Sequence, residues 1–149
     1  MTPESDRDDW SPQGPVTELS EPHAWALLKS VSVGRLALSE DDRPQIFPVY
    51  FASDGTSIIF RTAEGTKLHA LLNNAHVAFE ADAVTETESW SVVVRGLATV
   101  LHDNDDIRAA DALAFPRWVP TASYVYVRVT PADIRGRHFT ERVHAEREV

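Results

Sequence analysis

Trp90-Ser91-Val92-Val93-Val94-Arg95-Gly96-Leu97-Ala98-Thr99-Val100-Leu101 is the stretch on which the fold turns. Side chains alternate along an extended chain, so Val92, Val94 and Ala98 share one face and Val93, Leu97 and Leu101 the other. A strand that is apolar on both faces needs cover on both sides. A closed sheet supplies one cover from its own interior, and a helix or a second subunit supplies the other. The segment predicts a barrel that dimerises.

Working outward, residues 33–39, 45–52, 57–62, 76–83 and 123–130 have the same Val-, Ile-, Phe- and Tyr-rich texture between short polar turns. With residues 89–102 they make six candidate strands, enough for a small barrel, and the class is mainly β (α+β). In Tyr124-Val125-Tyr126-Val127-Arg128-Val129 the valines take one face and Tyr124, Tyr126 and Arg128 the other, the period of a half-buried strand. Ser20-Glu21-Pro22 reads as a helix start, with a capping hydroxyl, an acidic first turn and a proline where its missing N–H costs nothing. Ala24, Leu27 and Leu28 then give an amphipathic helix to about Ser30. Two more helices are expected, over residues 66–73 and 105–115, ended by Asn73-Asn74 and Phe115-Pro116.

The chain has 149 residues, the size of one domain. Residues 1–16 combine Pro3, Pro12, Gly14 and Pro15 with acidic residues and are expected to be a flexible tail, in which Trp10 is the one large aromatic. The folded domain is expected over 17–140, with a second tail over 141–149. Cysteine is absent, which excludes disulfides, thiolate metal sites and thiol nucleophiles. Acidic residues outnumber basic ones by 23 to 14, a formal charge of -9, so neither nucleic acid nor an anionic membrane is an expected partner. The start MTPESDRDDW lacks a signal peptide's basic and apolar regions, and no apolar run approaches the ~20 residues of a membrane span. The expected compartment is the cytoplasm.

Chemistry concentrates in Ile58-Ile59-Phe60-Arg61-Thr62-Ala63-Glu64-Gly65-Thr66-Lys67-Leu68, a strand that turns through Gly65 and opens a helix. A helix N-terminus with unpaired N–H groups, the hydroxyls of Thr62 and Thr66, and the charges of Arg61 and Lys67 suit a phosphomonoester. The same residues also read as a capped helix with two solvated cations. The pattern GxxxxGK[ST] is missing, so this is not a nucleoside triphosphate loop. In Gln45-Ile46-Phe47-Pro48-Val49-Tyr50-Phe51, Pro48 cannot donate to a ladder and marks an edge, a bulge, or a place where the sheet faces a ligand instead of a strand. Glu88-Ser89-Trp90-Ser91 opens another strand, where Trp90 reads as core or interface, and Arg95 is expected to pair with Glu80 or Asp82. The six histidines form no HExxH pattern and no metal site is expected, although His69 is a conceivable axial haem ligand. No GxSxG elbow is present.

In order and spacing, VGRLAL, PQIFPVYF, IIFRTAEGTKL, VAFEAD and WSVVVRGLA resemble the pyridoxamine 5'-phosphate oxidase-like FMN-binding split-barrel superfamily, most of all its small bacterial and nitroimidazole-resistance-like members. The resemblance covers roughly residues 18–140 and implies a six-stranded antiparallel split β-barrel with short flanking helices, dimeric, with two sites across the subunit interface. It implies FMN as cofactor, with a deazaflavin coenzyme as the alternative and haem a third. Arg61, Thr62, Thr66 and Lys67 match the positions that hold the FMN phosphate. Pro48, Val49 and Tyr50 match the strand along the isoalloxazine and ribityl chain, and Trp90 and Ser91 match a strand that reaches the cofactor from the second subunit. The implied activity is flavin-dependent hydride transfer between a small-molecule donor and acceptor; the alternative is a non-enzymatic binding or carrier protein. Pyridoxamine phosphate oxidases are longer and grip substrate through an Arg and a His near the C-terminus. Here only Arg135-Gly136-Arg137-His138 echoes them, so that reaction is not expected.

Overall fold

The computed structural model describes residues 16–72, 75–116, 118, 119 and 121–140; the two tails, Trp10 and the Asn73-Asn74 helix stop lie outside them. Along these residues run β1 (Thr17–Leu19), α1 (Glu21–Leu28), β2 (Val33–Glu40), β3 (Arg43–Ser53), β4 (Ile58–Ala63), α2 (Lys67–Leu71), β5 (Ala75–Val84), β6 (Glu88–Val100), α3 (Asn104–Asp111) and β7 (Tyr124–Thr140). The strand order is β1-β7-β4-β3-β2-β5-β6, and a further pairing of β6 with β7 closes the sheet. Every pairing is antiparallel. The expected six-stranded barrel is thus formed by β2 to β7, with the short β1 added outside.

Closure depends on β7, which serves two neighbours in turn. Tyr124 to Val129 pair with β4, and Val127 to Thr140 pair with β6. The sequence suggested a strand over residues 123–130. The strand instead continues through a bulge between Arg95 and Gly96, where Gly96 faces Pro131 and Arg95 faces Asp133. Beyond it, Gly136 to His138 also hold β1, a strand too short to be legible from its three residues.

The barrel interior is filled by alternating residues of all the long strands. Phe51, Phe60, Phe79, Leu36, Val92, Val94, Val127 and Val129 are almost fully buried there, each worth about 1.5–3 kcal/mol of burial. Phe51 and Phe79 meet edge to face, centroids 4.7 Å apart. Val92, Val94 and Ala98, the inward face predicted for the deciding segment, are all buried. On the outer side, Leu101 joins Ile59, Ala110 and Tyr126 in a second cluster under α3, with Ile107, Leu113 and Phe115 packed against it. Part of the second cover is therefore a helix of the same chain.

The helices start where their caps predict. Ser20 Oγ accepts from His23 N at 3.3 Å, and Thr66 Oγ1 accepts from His69 N at 3.1 Å. Asp103 Oδ2 accepts from the backbone N–H groups of Asp105 and Asp106, each at 3.1 Å. Asp41 and Asp42, both at positive φ, make the two-residue β2–β3 hairpin turn. One expected pair is corrected. Arg95 reaches Asp133 at 3.7 Å, while Arg35 takes Glu80 at 2.8 Å and Asp82 at 3.4 Å. Register explains it, since Arg35 stands directly across from Glu80.

Candidate functional site

β3 and β4 pair at only three positions, Phe51↔Phe60, Ala52↔Ile59 and Ser53↔Ile58. Carrying that register onward sets Tyr50 against Arg61, Val49 against Thr62 and Pro48 against Ala63, but no ladder joins them. There β3 keeps its bonds to β2, with Val33↔Tyr50 and Arg35↔Pro48, while β4 follows β7, with Arg61↔Tyr126 and Ala63↔Tyr124. Pro48 has no N–H with which to close the seam.

Between the parted strands lies a cleft of about 230 Å³. Pro48, Val49 and Tyr50 form one wall and Arg61, Thr62 and Ala63 the other; Thr66 comes from the following turn, Leu68 from α2, and Val119 from the loop before β7. Six of the nine residues named from sequence for the cofactor therefore meet at one place. Thr62, buried on the inner side of β4, and Thr66 face each other with hydroxyl oxygens 3.2 Å apart. Thr66 Oγ1 also donates to Ala63 O at 2.8 Å. Gly65, at φ 81, makes the turn that brings the two threonines together.

Arg61 lies on the outer side of β4 against a wall of aromatic rings. Its guanidinium carbon is 4.5 Å from the Tyr124 centroid, 4.8 Å from Phe115 and 5.4 Å from Tyr126. Arg61 Nη2 donates to the Tyr126 hydroxyl at 3.1 Å, which in turn donates to Asp111 Oδ1 at 2.6 Å. Burial and then the bond to Asp111 push the Tyr126 phenol up to about 12, with Arg61 pulling it down. The phenol keeps its proton at neutral pH, and the chain of bonds persists.

The other predicted residues fall outside this lining. Lys67 pairs with Glu40 at 3.4 Å, both side chains well exposed. Trp90 is buried in the barrel core, and Ser91, half-buried, stands between Asp82 and Arg137 in the sheet. α2 has only five residues, so it contributes little macrodipole, and the polarity of the cleft comes from hydroxyls and the guanidinium. His69 Nδ1 is buried with no hydrogen-bond partner among the described residues, but His69 does not line the cleft. Among the described residues no three His, Asp or Glu side chains converge as a metal site. Arg135 is held by Glu18 at 2.7 Å and His138 by Glu88 at 3.1 Å, on the distant half of β7.

Sequence reasoning missed Ala63, Leu68 and Val119 in the lining and Phe115, Tyr124, Tyr126 and Asp111 around Arg61. The alternation in β7 did place Tyr124 and Tyr126 on one face; that this face is Arg61's is a matter of register.

A closed antiparallel barrel whose seam parts beside an arginine and two threonines defines a split-barrel protein. The chain belongs to the pyridoxamine 5'-phosphate oxidase family, which its residues 20–138 match. It is similar to the FAD-binding protein from Mycobacterium smegmatis, with 41% identity, a TM-score of 0.77, and coverage of 83% of this chain and 99% of that one. It is also similar to a candidate pyridoxamine 5'-phosphate oxidase from Corynebacterium glutamicum, with 46% identity, a TM-score of 0.77, and coverage of 85% and 100%. An uncharacterized protein of Mycobacterium tuberculosis is 33% identical over 144 residues, which cover 91% of this chain and 93% of the relative. No helix among the described residues is long and apolar enough to cross a membrane.

Proposed function

We propose that this protein is a cytoplasmic flavin-dependent oxidoreductase that binds FMN in the cleft between β3 and β4. The observation that carries the reading is the convergence of Arg61, Thr62 and Thr66 opposite Pro48, Val49 and Tyr50, which no ladder joins to β4. Two hydroxyls and a guanidinium suit a phosphate group, and a strand edge relieved of its ladder suits a flat ring system. The M. smegmatis relative, at 41% identity, is an FAD-binding protein, which supports a flavin here.

The residues present fit the cofactor's phosphate end. Thr62 can donate by leaving Thr66, and Thr66 by leaving Ala63 O, and Arg61 lines the same cleft. Lys67 joins by leaving Glu40, a pair between exposed side chains that is worth little. When bound, the flavin supplies the hydride chemistry; the chain binds, orients and shields it. Among the described residues, those lining the cleft include no carboxylate or imidazole.

At about 230 Å³ the cleft is smaller than the roughly 300–1,000 Å³ that encloses most ligands. A second copy of the chain supplies the missing wall in this reading. Val33, Ile46 and Tyr50 are exposed apolar side chains on the outer face of the β2–β3 hairpin, with Val33 opposite Tyr50. Tyr50 belongs to both this stripe and the cleft, so a partner seated on the stripe borders the cofactor. Ser91, half-buried on β6, reaches the cofactor only across such a dimer, whereas the Trp90 side chain packs in the core of its own barrel.

The test is a visible spectrum of the purified full chain, with mass spectrometry of whatever denaturation releases. FMN is expected; a deazaflavin, haem or no chromophore overturns the FMN assignment. Anaerobic mixing with NADH, NADPH or a reduced deazaflavin then reads turnover, and no reduction by any donor replaces the enzyme with a carrier.

A further inference from the structure

We propose that Tyr126 is a positioning residue of the phosphate site. Anchored to Asp111, its hydroxyl holds the Arg61 guanidinium at the cleft and thereby sets a preference for phosphorylated over unphosphorylated flavin. The inference rests on the flavin reading above and concerns residues that reading does not use.

An arginine side chain gives up much rotational freedom when it grips an anion, and prior ordering removes that cost from binding. Arg61 is ordered from two directions. Phe115 and Tyr124 lie 4.8 and 4.5 Å from its guanidinium carbon, and the Tyr126 hydroxyl takes Nη2 at 3.1 Å. Tyr126 cannot swing away, being 4% exposed and packed against Tyr124 and Phe115. Its hydroxyl is turned by the 2.6 Å bond to Asp111 at the end of α3, and Ala110 fixes that helix in the outer cluster. With its proton given to Asp111, the phenol oxygen presents lone pairs to Arg61. A neutral acceptor in that place orients the guanidinium without cancelling its charge, as a carboxylate there would.

The experiment compares FMN and riboflavin affinities of the full chain by flavin fluorescence titration. Tyr126→Phe keeps the ring and removes the hydroxyl; FMN is expected to weaken about tenfold, and riboflavin by less than about twofold. Asp111→Ala, at an exposed position, is expected to act in the same direction by a smaller factor, and Asp111→Asn, which keeps an acceptor oxygen, to restore most of the loss. Should Tyr126→Phe fail to fold by circular dichroism, the Asp111 pair decides the question. Equal weakening of both ligands, or FMN binding unchanged in Tyr126→Phe and Asp111→Ala, overturns the proposal. If Arg61→Ala separates the two ligands while these variants do not, the positioning role falls and the flavin reading stands. A wild-type protein with no preference for FMN over riboflavin overturns both.

Discussion

The hydroxyls of Thr62 and Thr66 stand 3.2 Å apart across the turn that joins β4 to α2, the one buried in the sheet and the other capping the helix. Thr66 thus ties the local fold to the cleft. Thr66→Ala is expected to cost about 1 kcal/mol of stability, the usual value of an N-cap, and to weaken FMN. Thr66→Ser should recover both. Urea denaturation and flavin titration read the two effects, and FMN affinity unchanged in Thr66→Ala would remove Thr66 from the site.

Arg61 carries the full charge at the cleft wall. Arg61→Ala is expected to weaken FMN by roughly ten- to a hundredfold, the range of a lost charge-assisted hydrogen bond, with much less effect on riboflavin. Arg61→Lys should recover only part, because an ammonium keeps the charge but loses the planar stacking on Tyr124. Lys67→Ala should cost less than Arg61→Ala, since Lys67 starts exposed and paired with Glu40. Equal losses for both flavins in Arg61→Ala would sink the phosphate assignment.

Ile46 is 68% exposed on the outer face of β3, in the apolar stripe assigned to the subunit interface. Light scattering after size exclusion is expected to give a dimer for the wild type and a monomer for Ile46→Glu, with weaker FMN binding in the variant. A wild-type monomer at micromolar concentration would contradict a site shared between subunits.

Glu80 gives a pH dependence. Burial and then the neighbouring Asp82 raise its carboxyl from 4.5 to about 7, while Arg35 opposes the shift. A raised carboxyl contributes its stability fully below about 4.5 and loses it as pH climbs through about 7. Glu80→Gln never takes up that charge, so the variant should gain on the wild type between pH 5 and pH 8. Thermal unfolding at both values measures this. A stability difference that is the same at the two pH values counts against it.

Gly96 sits at the β6–β7 bulge, where an added Cβ would collide with Thr130 O, a backbone atom that cannot step aside. Gly96→Ala is expected to destabilise by about 2 kcal/mol or more, shown by a lower denaturation midpoint. A midpoint matching the wild type would mean that the bulge relaxes freely.

Much of this protein is written in short stretches of its sequence. Two-sided apolarity from Trp90 to Leu101 demanded closure of the sheet, and Ser20 and Thr66 announced their helices, because periodicity and capping act between residues a few positions apart. The run from Arg61 to Thr66 likewise brought its own polar groups together through the turn at Gly65. Other features depend on partners that local rules cannot name. The last strand runs past the expected residue 130 because the bulge at Gly96 carries it beyond Pro131, and Arg95 lost Glu80 to Arg35 because β2 stands beside β5. Arg61 meets Tyr126 across 65 residues of chain and Tyr126 meets Asp111 across 15. Those contacts exist only once the barrel closes and fixes its registers, and a slip of one residue in its strand would turn Arg61 or Tyr126 to the opposite face of the sheet.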